Sequence, residues 1–418
     1  MLEIDKFIFV SAYNKEDYII ATYYLESIAN LNLYEISKAI ALGQSIGNPE
    51  IRSVYETQEL FESASVKIIA DPLELKSKKK GNVNFAFPLR NLNIKEDGIS
   101  QLLCHLMGGH LDIDAIRQCK LLDIEFPREF LASFSGPKFG IEGIRKYINV
   151  YNKPVLGSII KPKVGLTKEQ LLGIVKELID GGVDFIKEDE IMSNPAICPL
   201  EERVEYIMKC VNNCGRKIVY AVCINSDYPY FMQRAKRVYE LGGNCVHLNI
   251  WAGLSAYKAL RELDLPIMLF FQKSGDRIFT RERHDFYIDW DVVCKLARMM
   301  GVDFIQAGMW GGYSHSEEFA LNKTISVLIG ENIHFLAVLP SLSCGMHPGL
   351  VNAIINKFGK DVMLNVGGAI HGHPSGSKAG ARAMRQAIEL SVEGKFTKEN
   401  MFKHQELKEA IKKWGYIE

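Results

Sequence analysis

The stretch GGVDFIKEDE (residues 181–190) ends an apolar run in four consecutive charged residues, Lys187, Glu188, Asp189 and Glu190. In an extended chain alternate residues share a face, so Lys187 and Asp189 point the same way, and Glu190 joins them where the strand gives way to a loop. Two carboxylates suit a hard cation such as Mg²⁺, with water or substrate oxygens completing its shell. An ammonium cannot ligate a metal. Lys187 could contribute only as an anion, and addition of its neutral amine to CO₂ gives a carbamate with the required charge and oxygens. A solvated salt bridge at a strand end is the plain alternative.

The ends of other apolar runs carry further candidates. IIKPK (159–163) supplies Lys161 and Lys163, and FFQK (270–273) supplies Gln272 and Lys273. VDFIQ ends in Gln306, SCGMHPG (343–349) offers Ser343, Gly345 and His347, and VGGAIHGHP (366–374) offers Gly367 and Gly368, then His371 and His373. Glycine-rich strand ends let backbone N–H groups approach an anion closely, as in barrel phosphate sites, although glycine pairs also serve as tight turns. His371 and His373 read best as loop histidines bonded to backbone. His347 suits a helix cap or a substrate contact. The basic stretch KSGDRIFTRERH (273–284) reads as a solvated loop, with a phosphate clamp as the alternative. Each signal alone is weak; their convergence on strand ends favours chemistry.

The elements that would bring them together are eight short apolar runs: 154–160, 183–187, 217–224, 244–250, 266–271, 302–308, 334–340 and 362–368. Helix-period segments such as TKEQLLGIVKELIDGG (167–182) separate them, with Leu171, Val175 and Leu178 on one face and Gly181–Gly182 as the stop. Continuous apolar strands joined by helices mean a parallel sheet covered on both faces. Eight units predict an α/β fold with a closed (β/α)8 TIM barrel, whose active site lies at the C-terminal strand ends. An open doubly wound sheet fits less well, because KPKVGL after the first run is no phosphate-binding glycine fingerprint.

Residues 1–140 differ. FIFVSAY (7–13), YIIATYYLES (18–27), SVKIIADP (65–72) and NVNFAFP (82–88) read as strands, and 32–47 and 98–108 as helices. They predict a smaller α+β (ferredoxin-like) N-terminal domain, joined through SFSGPKFG (133–140) to a barrel domain over 141–418.

With 50 basic and 50 acidic residues the chain has no net field to recruit nucleic acid or an anionic membrane. Nine scattered cysteines without a Cys-x-x-Cys pair read as reduced thiols, and Cys210 and Cys214 lack a second pair at zinc-finger spacing. No run reaches the ~20 apolar residues of a membrane span, and the N-terminus does not read as a signal peptide. A cytoplasmic protein is expected.

GSIIKPKVGLT, GGVDFIKEDE, SCGMHPG and NVGGAIHGHP, in this order, resemble the ribulose-bisphosphate carboxylase (RuBisCO) large-chain superfamily across the whole barrel. The resemblance implies that Lys187 is carbamylated and binds Mg²⁺ with Asp189 and Glu190. Lys161 matches the enolisation base and Lys163 its neighbour, while Gly345, Gly367 and Gly368 match phosphate-contacting loops. The departures point to a RuBisCO-like protein of form IV type rather than a true carboxylase. The loop after the sixth run, AGMWGGYSHSEE (307–318), lacks the lysine that holds CO₂, and Gln272 and Gln306 stand where carboxylases have histidines. ALGQSIGN (41–48) lacks the glutamate and Thr-Trp that the N-terminal domain normally lends to a neighbouring subunit.

SGPKFGIEGIRK and GGAIHGHP also resemble the methionine-salvage enolases that act on 2,3-diketo-5-methylthiopentyl 1-phosphate. Gly109 occupies the position of their base lysine, which returns that role to Lys161. The resemblance implies enolase or isomerase chemistry on a phosphorylated keto-sugar, with decarboxylation or transcarboxylation of a branched keto-sugar acid phosphate as the alternative. A non-catalytic sugar-phosphate-binding relative is a third reading, disfavoured because Lys187, Asp189 and Glu190 are all present. A homodimer, or a multiple of dimers, is expected, with the N-terminal domain covering a neighbour's barrel mouth.

Overall fold

The structure, a computed structural model, describes residues 3–47, 53–331 and 334–417. Asn48, the last residue of ALGQSIGN, lies outside them. The chain forms two compact units: one runs up to Phe134 and takes back Gly275–Leu296, and the other comprises Ser135–Ser274 and everything from Ala297.

The first unit holds β1 (Tyr18–Ser27), β2 (Lys67–Ile69), β3 (Lys80–Pro88) and β4 (Ile116–Glu125). β1 pairs antiparallel with both β3 and β4, and β2 pairs antiparallel with β3. The α+β architecture agrees with the sequence reading, but FIFVSAY is no strand. Asp5–Ile8 is a single helical turn, and only Phe9 forms a bridge, to Ile68. β4 was not expected, because IRQCKLLDIE mixes charge with apolar residues and its burial is broken along its length.

In the second unit β5 (Val155–Ile159), β6 (Phe185–Lys187), β7 (Val219–Cys223), β8 (Cys245–Asn249) and β9 (Met268–Gln272) are followed, after an excursion, by β11 (Phe304–Gly308), β12 (Leu339–Leu342) and β13 (Met363–Val366). They close into an eight-stranded barrel in the order β11-β12-β13-β5-β6-β7-β8-β9. Every barrel pairing is parallel. The excursion opens with the basic stretch 273–284, expected to be a loop, which forms a short helix at Arg277–Thr280. Just beyond that stretch, β10 (Phe286–Ile288) pairs in parallel with β4.

At the N-terminal end of the barrel, helix Gly140–Ile148 presses Ile141, Ile144 and Ile148 against Val155, Phe185, Phe304 and Met363 in one buried cluster. Two aspartates in matching VDFI sequences tie strands together there. Asp184 accepts from Leu156 N at 2.9 Å and Arg385 Nη2 at 2.7 Å. Asp303, fully buried, accepts from Phe139 N (2.7 Å), Gly140 N (3.1 Å), Leu269 N (3.0 Å) and Arg261 Nη2 (2.8 Å). A carboxylate out of water is tolerated because both oxygens are fully used. Among the described residues no helix is long and apolar enough to cross a membrane.

Asp303→Ala strands the Arg261 guanidinium and three backbone N–H groups, so a loss of about 3–5 kcal/mol is expected, in the range for breaking one side of a buried ion pair. Chemical denaturation of the two proteins measures it; an unchanged midpoint would show that the clamp does not hold the barrel.

Candidate active site

The charged cluster at the end of β6 is not a solvated salt bridge. Lys187, Glu188 and Asp189 are 1%, 1% and 2% exposed, and each goes a different way. Glu188 turns outward from the barrel axis. Arg203, in helix Leu200–Asn212, grips it with Nε and Nη2 at 2.8 and 2.9 Å, while Tyr220 Oη and Cys223 N donate to it at 2.8 Å each. These contacts to Glu188 were missed in the sequence, where it is indistinguishable from its acidic neighbours.

Lys187 and Asp189 therefore face the interior. Lys187 Nζ donates to the Glu188 carbonyl at 2.8 Å, lies 4.0 Å from Glu190 Oε2 and sits 5.6 Å from the centre of the Phe270 ring. Burial pushes its amine below the ordinary lysine range, against the opposing pull of Glu190. The neutral form, the one that adds CO₂, is thereby easier to reach than in an ordinary lysine.

Asp189 Oδ2 accepts from Lys161 Nζ at 2.8 Å, with Lys163 Nζ behind it at 3.7 Å. Burial works to raise the Asp189 carboxyl, but Lys161, Lys187 and Lys163 outweigh it and hold it below the usual carboxylate range. Its Oδ1 is buried without a protein partner. The Glu190 backbone is fixed by Asn225 Nδ2, which donates to its carbonyl at 2.5 Å, and Asn225 Oδ1 accepts from Asn249 N at 2.6 Å. Asn225 lies two residues past β7 and Asn249 ends β8, a further support that the sequence reading did not single out.

Among the described residues no three His, Cys, Asp or Glu side chains group to hold a metal. The unmodified set is two carboxylates and a buried lysine. An orphaned carboxylate oxygen beside an amine biased to neutrality fits a hard cation completed by a lysine carbamate.

The remaining candidates line the same strand ends. Gly367 packs against Lys161: a Cβ there would lie 3.3 Å from Lys161 Cε, whereas one on Gly368 meets nothing within 4 Å. Gly345 has φ +108°, and a Cβ on it would lie 2.6 Å from Tyr313 N, so only glycine fits. Ser343 Oγ accepts from Gln306 Nε2 at 2.7 Å. Gln272 is 5% exposed at the end of β9, and Lys273 follows it, half-buried. His347 precedes the turn Pro348–Leu350, and burial lowers its pKa.

His371 and His373 bond to the backbone carbonyls of Ile159 and Glu406, at 3.1 and 2.9 Å, as loop histidines do. The loop after β11 is held down: Ser316 N donates to Met309 O at 2.6 Å, Gly311 N to His315 Nδ1 at 3.1 Å and Ser314 N to Cys344 O at 3.5 Å.

Known families and solved structures match both units of the chain. The family models for the ribulose bisphosphate carboxylase large chain match residues 7–130 (N-terminal domain) and 140–414 (catalytic domain). A ribulose bisphosphate carboxylase-like protein of Archaeoglobus fulgidus is 34% identical, the match covering 95% of this chain and 93% of the relative. A 2,3-diketo-5-methylthiopentyl-1-phosphate enolase of Geobacillus kaustophilus is 32% identical over 96% of this chain and 98% of its own. Among solved structures, the octameric ribulose-1,5-bisphosphate carboxylase/oxygenase of Pyrococcus horikoshii OT3 superposes with a TM-score of 0.90 at 29% identity, over 99% of this chain and 97% of the other. The chain belongs to the RuBisCO large-chain family, as a RuBisCO-like protein.

Arg203→Met leaves Glu188 buried without its cation, and about 3–5 kcal/mol of stability should be lost. Thermal unfolding tests this. A variant with the wild-type melting temperature would mean that the pair does not anchor the strand end.

Proposed function

We propose that this protein is a Mg²⁺-dependent enzyme that enolises a phosphorylated keto-sugar, with a methylthio-pentulose-phosphate-like substrate. The observation that carries the reading is Lys161 Nζ at 2.8 Å from Asp189, beside the buried amine of Lys187 and against Gly367. Lys187, as its CO₂ carbamate, together with Asp189 and Glu190 would hold the cation. When bound, Mg²⁺ polarises the substrate carbonyl and acidifies the neighbouring C–H.

The proton work falls to the chain itself. Lys161 in its neutral form takes the proton from that carbon, leaving an enediolate, and returns it to another atom of the same framework. Lys163 places a second amine beside the same carboxylate, 3.7 Å from Asp189 Oδ2. Gly345, Gly367 and Gly368 bring backbone N–H groups to the phosphate, with Lys273 and His347 nearby. Gln272, Gln306 and Ser343 supply neutral hydrogen-bonding groups for the sugar oxygens. Holding the phosphate fixes the reacting carbon relative to the base.

Three considerations favour proton transfer over CO₂ fixation. The loop 307–318 carries no lysine. Its backbone bonds hold it against its own base and the end of β12. A relative of similar length bears the enolase name. The octameric structural relative supports assembly as dimers or multiples of them. The nine free cysteines agree with a cytoplasmic, reducing setting.

Proton NMR in D₂O on a panel of ketose and diketo phosphates tests this reading. Deuterium should enter beside the carbonyl only with both Mg²⁺ and bicarbonate present, and Lys161→Met should reduce exchange by about 10²–10⁴-fold, the usual worth of a positioned acid–base group. CO₂ release from a branched 3-keto acid phosphate that persists in Lys161→Met would move the protein to decarboxylation. Binding of a sugar phosphate with neither exchange nor turnover would leave a non-catalytic relative.

A further inference from the structure

Alternate barrel strands build the interior in layers of four side chains. Phe185, Cys245, Phe304 and Met363, on β6, β8, β11 and β13, belong to the apolar core cluster. Two residues further along each strand, on the same face, stand Lys187, His247, Gln306 and Asn365. The layer that holds Lys187 is therefore wholly polar. On the other four strands the step from Val155, Val219, Met268 and Leu339 leads to Gly157, Ala221, Phe270 and Ser341, the adjoining layer, of which Ala221 and Phe270 still belong to the apolar cluster and Ser341 is polar.

The polar atoms here are paired poorly. His247, Ser341 and Asn365 are 0%, 0% and 1% exposed, yet both ring nitrogens of His247, Ser341 Oγ and Asn365 Oδ1 lack a protein hydrogen-bond partner. Asn365 Oδ1 lies over the glycine: a Cβ on Gly157 would be 3.0 Å from it. The His247 ring centre is 6.2 Å from that of Phe270, the same ring that Lys187 Nζ approaches. Leaving buried polar atoms unmatched is costly, and native interiors match them with ordered water where the site is polar and roomy.

We propose that the barrel interior beneath Lys187 is a binding site for ordered water, held by His247, Ser341 and Asn365, and that this water positions the Lys187 side chain. Lys187 has one close protein acceptor, the Glu188 carbonyl, for a group with three donors. Water from below takes up the remaining hydrogen-bonding capacity and fixes the side chain toward Asp189 and Glu190. His247, Ser341 and Asn365 are thus positioning residues for Lys187 and do not touch the substrate. The role given to this water rests on the proposed carbamate; the water site itself does not.

A high-resolution crystal structure tests the site first. Ordered water bonded to at least two of these three side chains is expected, and a dry interior with the side chains paired to protein groups would overturn it. His247→Leu, Ser341→Ala and Asn365→Leu, singly and together, then test the role. The water leaves with the polar groups that hold it, and losing both partners together is close to neutral for folding or stabilising, so melting temperatures should hold or rise. With ¹³C-labelled bicarbonate and Mg²⁺, the concentration that half-fills the Lys187 carbamate NMR signal should rise at least tenfold in the combined variant, with Lys187→Met as the blank. Unchanged CO₂ affinity in a variant shown to lack the water would overturn the positioning role. A wild-type protein without any carbamate signal would refute the metal site proposed above and the role with it, while the crystallographic result still decides whether the water is there.

Discussion

One buried ion pair decides what the four charges at the end of β6 do. Glu188 is held by Arg203 through two hydrogen bonds and by Tyr220 and the Cys223 N–H. Burying two ions costs several kcal/mol each, and the pair survives because every Glu188 oxygen is used. Side chains alternate along a strand, so a Glu188 fixed outward leaves Lys187 and Asp189 no choice but to face inward. Without that anchor the strand end could turn over by one residue, and the lysine and its carboxylates would exchange places with the group that now points away.

The same alternation explains how the barrel is graded from apolar to polar. Phe185, Phe304 and Met363 sit with the helix that closes the N-terminal end. One step further along the same strands the residues become Lys187, Gln306 and Asn365. The end that is pure packing carries Asp303, saturated with hydrogen bonds, and Asp184, paired with Arg385 and Arg216, and the opposite end carries groups with capacity to spare. Stability and chemistry are thereby separated along one axis, as is general for this fold.

The barrel was legible because a parallel sheet covered on both faces needs continuous apolar strands, and eight such runs are plain in the chain. The strand ends were legible for the same reason: charge stands out against those runs. β4 and β10 were not, since Arg117, Lys120 and Asp123 interrupt one and a dense run of basic residues precedes the other. FIFVSAY carries strand-forming residues, yet it makes only the Phe9 bridge, which shows tertiary pairing overriding propensity. Within the site, residue type identified Lys161, Lys187 and Asp189 as candidates, but the separate fate of Glu188 depended on Arg203, fifteen positions away and anonymous in sequence. His247 and Asn365 were overlooked because a polar residue inside an apolar run looks like an exception until the layer that contains it is assembled.

Asp189 joins the two halves of the proposed chemistry. Its Oδ2 carries Lys161, and its Oδ1 is buried without a partner. With that second oxygen uncommitted, the carboxylate's charge is spent on the lysines around it, which hold the carboxyl below the usual carboxylate range. A cation held by Lys187, Asp189 and Glu190 would draw on the same carboxylate that Lys161 bonds. The proposed metal site and the proposed base would then share one residue instead of standing apart. One carboxylate with two differently used oxygens is enough to link the two roles.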